Sequence, residues 1–92
     1  MGVAATIERK LTEALAPTRL RVIDDSHLHA GHAGARPQGE THFRVEIVAA
    51  CFEGQSRIAR QRQVYAVLAE ELAGPVHALA LSLRTPAEDG SA

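Results

Sequence analysis

Histidine is the side chain whose placement in this sequence most suggests chemistry. Imidazoles fall close together at His27, His29 and His32, another follows at His42, and His77 stands apart at the entry to an apolar strand. Neutral imidazole is the commonest protein ligand for metals, and packing alone rarely requires such a cluster, so a metal site is the first chemistry to weigh. The strand reads His77-Ala78-Leu79-Ala80-Leu81-Ser82-Leu83-Arg84, with the alternation of a half-buried strand. His77 shares the parity of Leu79, Leu81 and Leu83, at the rim of the apolar face. His42 has the parity of Arg44 and Glu46; it points off that face and is expected to fix the loop or strand end by hydrogen bonds. Cys51 follows a strand and reads as a small buried hydrophobe. No nucleophile and base stand at a usable spacing, so the chain is expected not to be an enzyme.

Composition narrows the setting. A chain of 92 residues makes one small domain with a modest core, burying somewhat over ~60% of its unfolded surface. Hydrophobic residues make up 46%, yet Phe43, Phe52 and Tyr65 are the only aromatics, which leaves the core to Leu, Val, Ile and Ala. Ten basic residues against eleven acidic ones give a net charge of −1. That balance argues against strong non-specific attraction to nucleic acid and leaves room only for a local basic patch. A single cysteine excludes an internal disulfide and suits a reducing compartment. No apolar run approaches the roughly 20 residues of a membrane helix, and the start lacks the pattern of a signal peptide. Met1-Gly2-Val3-Ala4-Ala5-Thr6 fits a myristoylation pattern but reads better as the start of a helix. The expectation is a soluble, cytoplasmic protein.

The elements that must position the histidines can be read in order. Val3, Ile7, Leu11 and Leu15 recur every four residues and give a helix with one apolar stripe, stopped by Pro17. Arg19 to Asp24 reads as a short strand. His42 to Ala49 is the clearest one, with Phe43, Val45 and Ile47 alternating against Arg44 and Glu46. Between them, Ser26 to Glu40 carries three glycines and Pro37; a loop of about fifteen residues in a small domain is usually functional or mobile. Ser56 is a candidate N-cap for a helical stretch from Arg57 to Leu72, with Ile58, Val64, Tyr65, Leu68 and Leu72 as its apolar side. That stretch has room to break into a short turn followed by a longer helix. Ala73-Gly74-Pro75 stops it, the His77 strand follows, and Thr85 to Ala92 reads as a frayed tail.

A crossover through a helix between the second and third strands favours pairing them in parallel. Both helices must cover the single apolar face, leaving Arg44 and Glu46 in solvent. The expectation is a two-layer α+β domain with a three-stranded mixed sheet. Its core runs over about residues 3–86, with 87–92 as a flexible tail.

Several blocks, in order, resemble the BolA family. They are Leu20-Arg21-Val22-Ile23-Asp24-Asp25-Ser26 followed by His29, then Thr41-His42-Phe43-Arg44-Val45 and Phe52-Glu53-Gly54. Val64-Tyr65 with Leu68-Ala69-Glu70-Glu71-Leu72 and Val76-His77-Ala78-Leu79-Ala80 complete the series. The resemblance covers about Ile7 to Pro86. It implies the α-β-β-α-α-β arrangement of type II KH domains, in agreement with the independent reading. It also implies iron–sulfur work: BolA proteins join monothiol glutaredoxins around a bridging [2Fe–2S] cluster. The glutaredoxin and its bound glutathione supply thiolates, while the BolA partner supplies the histidine opening the last strand and a His or Cys from the long loop. Carried over, these are His77 and His29, with His27 and His32 as alternative metal ligands. Imidazole in place of thiolate lowers the cluster's negative charge and raises its potential. Ligating imidazoles must be neutral, so assembly is expected to weaken below about pH 6.

The alternative function is that of a DNA-binding transcriptional regulator, a role for which bacterial BolA proteins are often named. Arg57, Arg60 and Arg62 are the candidate nucleic-acid or partner contacts. At this point the chain departs from the family, with Arg60-Gln61-Arg62 where Arg-His-Arg is common. Gly31-His32-Ala33-Gly34 is literally a G-x-x-G, the backbone clamp of KH domains, but it lies between strands rather than between helices. The near-neutral charge and the absence of glycine from the helical junction favour the cluster-binding reading.

Overall fold

A computed structural model describes residues 2–25 and 42–90. The order is α1 (Val3–Leu15), β1 (Arg19–Asp24), β2 (His42–Val48), a 3-10 turn (Ala50–Phe52), α2 (Arg57–Val67), α3 (Ala69–Ala73), β3 (Ala78–Arg84) and α4 (Pro86–Gly90). The first six regular elements give the expected α-β-β-α-α-β order, and the fold class is the α+β one read from the sequence.

The stripe of α1 behaves as its spacing requires. Ile7, Leu11 and Leu15 are buried, because residues four apart lie one above another on a single helix face. The helix ends where Ala16 turns left-handed at φ 45° and donates its N–H to the Thr12 carbonyl, just before Pro17. Strand β2 is central in the order β1-β2-β3. It pairs antiparallel with β1, from Arg19 opposite Val48 to Asp24 opposite Phe43. It pairs in parallel with β3, from His42 opposite Ala78 to Val48 opposite Arg84. The parallel pairing follows from the crossover through α2 and α3. Phe43, Val45 and Ile47 lie buried beneath the helices with Phe52, Val64 and Leu68.

Ser56 caps α2, its Oγ accepting from the Ala59 N–H at 3.1 Å. The helical stretch breaks at Leu68, leaving a long helix followed by a short one, the reverse of the expected division. Its buried face also differs from the one read in sequence. Ile58 and Tyr65 are 60% and 41% exposed, while Val64 and Leu68 are buried and the Arg60 side chain is only 12% exposed. On α3 the buried carboxylate of Glu71 bonds Lys10 of α1 at 2.8 Å. That bond, foremost, holds the Lys10 ammonium above its ordinary range.

Residues 85–90 of the segment read as a frayed tail are instead organised. Thr85 is buried, and the Glu88 N–H donates to its Oγ1 at 3.2 Å while the Thr85 N–H donates to Glu88 Oε1 at 2.8 Å. This is a reciprocal capping box with proline at the first helical position. Asp89 pairs with Arg19 and so ties α4 to β1.

Candidate functional site

Two of the histidines, His42 and His77, meet where the three strands share one end. Strand β1 finishes there at Asp24, β2 begins there at His42, and β3 begins opposite it at Ala78. The neck of the connection between the first two strands is fixed twice. The Asp25 N–H donates to the His42 carbonyl at 2.8 Å, extending the ladder by one residue. Arg44 then donates from Nε to Asp25 Oδ2 at 3.1 Å and from Nη2 to Oδ1 at 3.4 Å. The described chain therefore stops at Asp25 and resumes at His42 at this same end of the sheet. His27, His29 and His32 lie outside the described residues, as does the Ser26 to Glu40 loop.

His77 sits one residue ahead of β3 on backbone held from both sides. Val76 before it is buried and donates its N–H to the Glu71 carbonyl at 3.0 Å; Ala78 after it is already in the ladder. The imidazole itself is exposed. A fixed backbone with a free side chain suits a ligand offered to another molecule. The ring lies beside that of His42, with centroids 6.3 Å apart and planes within 16° of parallel. The bond that holds the strand end here uses the His42 main-chain carbonyl, which accepts from Asp25, rather than the imidazole. The side-by-side imidazoles are a further finding, since the two residues have opposite strand parity and only the parallel register brings them together. Among the described residues no group of three or more His, Cys, Asp or Glu side chains converges on one point.

Cys51, expected to be buried, is exposed. The 3-10 turn directs Phe52 inward and leaves the cysteine outside. The arginine trio also divides. Arg57 and Arg62 are exposed, but Arg60 is engaged within the fold. It donates to the Gln55 carbonyl at 3.1 Å, to the Leu83 carbonyl at 3.2 Å, and to both Glu88 oxygens at 2.7 and 3.3 Å. Its guanidinium lies 5.8 Å from the Phe52 ring centroid. On the open face of the sheet, Arg21 pairs with Glu46, Arg44 with Asp25 and Arg84 with Asp89, so that face is largely neutralised. Arg60 and the Thr85 N–H together hold the Glu88 carboxyl down to about 2 from its ordinary 4.5. A carboxyl lowered on folding contributes stability that is complete above pH 4.5 and is lost as the pH falls towards 2. Thermal unfolding midpoints measured across that range should fall less steeply for Glu88→Gln than for the unaltered chain. Parallel curves would show that the pair carries no such dependence.

Residues 11–88 match the family BolA, described as BolA-like protein. The chain belongs to the BolA family. It is similar to the BolA-like protein 1 of Homo sapiens, with 54% identity over 86 residues, 94% of this chain and 60% of that protein. A relative from Sinorhizobium sp, described as an uncharacterized protein in the cobS 5′ region, is 47% identical and matched over 96% of each chain. Among solved structures, BolA1 from Arabidopsis thaliana superposes with a TM-score of 0.86 at 42% identity over 96% of each chain. The BolA domain of SufE1 from the same plant gives 0.85 at 42% identity, over 96% of this chain and 98% of that one. The BolA chain described here spans about 60% of the length of the mammalian relatives it matches. Among its described residues no helix is long and apolar enough to cross a membrane.

Proposed function

We propose that this BolA-like protein acts without catalysing a reaction of its own. In this reading it binds a monothiol glutaredoxin and co-ligates a [2Fe–2S] cluster bridging the two, in iron–sulfur cluster handling or iron sensing. The supporting observation is the exposed imidazole of His77 on backbone pinned at both flanks, beside His42 and at the sheet end from which the histidine-bearing segment departs. Imidazole suits iron as a ligand. The cluster is the cargo, and it brings iron coordination and one-electron chemistry when bound.

The residues of this chain have separable duties. His77 offers a neutral nitrogen, and the Val76 and Ala78 backbone holds it in place. His29 supplies the second nitrogen, with His27 and His32 as its substitutes. Arg44 and Asp25 fix the neck of the segment that carries them. The regulator reading has less support, because Arg60 is committed to Glu88 and only Arg57 and Arg62 of its trio remain exposed. Co-expression with a monothiol glutaredoxin, followed by purification through a tag on this chain, tests the proposal. The expected product is a coloured one-to-one complex containing glutathione, iron and sulfide. Recovery of the chain alone and colourless, from cells in which the glutaredoxin is abundant and folded, would overturn it.

A further inference from the structure

Among the described residues strand β3 has one neighbour in the sheet, and none of them covers its other edge along part of its length. The Arg84 carbonyl accepts from the Ala49 N–H at 3.0 Å and so faces β2. Alternation then turns the N–H and C=O groups of Leu79, Leu81 and Leu83 outward. Leu83 confirms this by accepting from Arg60 of α2 at 3.2 Å, which closes the edge at that point. Among the described residues no hydrogen bond reaches the outward groups of Leu79 and Leu81. Unpaired strand edges are templates for another strand.

A cavity of about 520 Å³ runs beside this edge, between β3 and the first turns of α2. Leu81 and Leu83 form one wall, Arg57, Arg60 and Gln61 the other, and Glu88 closes one end. That wall sets the cation of Arg57 beside the Arg60–Glu88 pair, and the fold itself shows what its guanidinium groups accept. Glu88, a carboxylate carried on polypeptide, already grips Arg60 with both oxygens, the bidentate geometry in which guanidinium binds carboxylate best. Among the described residues no aromatic side chain lines the cavity, so they offer it none of the stacking platforms by which single-stranded nucleic acid is held.

We propose that the open edge of β3 is a docking groove for an extended acidic peptide segment of a partner protein. The segment pairs with the outward backbone groups of Leu79 and Leu81 as a fourth strand, and alternate acidic side chains face Arg57 and Gln61. Main-chain bonds supply affinity and side-chain pockets supply specificity in this mode. The inference is independent of the cluster reading, since it uses neither His77 nor the loop histidines.

The test is a titration of the full ¹⁵N-labelled chain with a capped ten-residue peptide of alternating Val and Glu. A Val and Lys peptide and an oligothymidylate serve as comparators. With the acidic peptide, the Leu79 and Leu81 amides are expected to shift and their hydrogen exchange to slow. Arg57 is exposed, so Arg57→Glu keeps the fold, and it should weaken binding on the order of tenfold by placing like charge in the groove. Unmoved Leu79 and Leu81 amides, an equal response to the lysine peptide, or preferential binding of the oligothymidylate to the same residues would each overturn the proposal. An affinity unchanged by Arg57→Glu would overturn the acidic specificity.

Discussion

Phe52→Ala is expected to lower the unfolding free energy by about 3–5 kcal/mol, the usual cost of emptying a buried aromatic site. Domains of this size hold only about 5–15 kcal/mol in total, so the variant should be partly unfolded at moderate temperature. Phe52 is fully buried at the end of the 3-10 turn that joins β2 to α2. Its backbone is held by the Ala49 carbonyl at 3.3 Å and by the Gln55 N–H at 3.1 Å, so the turn cannot easily collapse into the space left behind. The ring also supports the Arg60 guanidinium, through which α2, β3 and α4 are joined. Phe52→Ala and Glu88→Gln should therefore be non-additive, as expected for residues that share a partner. Urea unfolding of the two single variants and the double variant measures both quantities. A loss below about 1 kcal/mol for Phe52→Ala would contradict this packing, since surface substitutions already span about ±0.5 kcal/mol.

That hub explains where local patterns stopped short. The α1 stripe, the alternation of β2 and the parallel crossover were legible because each depends on apolar residues at a regular period, and the core rewards that period directly. The inward face of α2 was not. Local apolarity favours Ile58 and Tyr65, whereas the inward positions include Arg60, which is largely covered, and, further on in α3, the buried Glu71. Burying a charged group is favourable only when it is paired and hydrogen-bonded. The partners here are Glu88 and Lys10, distant in sequence and invisible in any local window. The final helix did have a signal: Thr85-Pro86-Ala87-Glu88 spells a capping box with proline at the first helical position. Its lack of large apolar residues made it read as tail.

The site was legible to a similar depth. His77 could be placed at a strand entry from alternation alone, and its exposure follows from standing one residue ahead of the ladder. His42 could be placed on the open face, but its nearness to His77 depends on the register of a non-local strand pair. Periodicity within either strand cannot provide that register. Cys51 went the other way because a 3-10 turn, not a continuing strand, follows β2, and the turn exchanges which neighbour faces the core.

His77→Ala is expected to leave the fold intact and to disable cluster retention in the mixed complex. The imidazole is exposed, and its backbone is held by Val76 and Ala78 rather than by the ring. The stability change should therefore stay within about 0.5 kcal/mol, as for other surface substitutions. Removal of outer groups that merely orient a metal ligand costs about 10–100-fold in affinity, so loss of a ligand itself should cost no less. The same change at His27 or His32 should do less, because neighbouring loop histidines can substitute. His77→Cys supplies the discriminating control. A thiolate there should restore a cluster with a different visible circular dichroism spectrum. The added negative charge should also lower its potential, the reverse of the rise produced when imidazole replaces thiolate. The measurements are visible circular dichroism and iron content of the purified complexes, with thermal unfolding of each free variant alongside. Identical spectra and iron content for the unaltered chain and His77→Ala would remove His77 from the ligand set. An altered spectrum with unchanged stability, restored in modified form by cysteine, is the result that ligation at this strand entry requires.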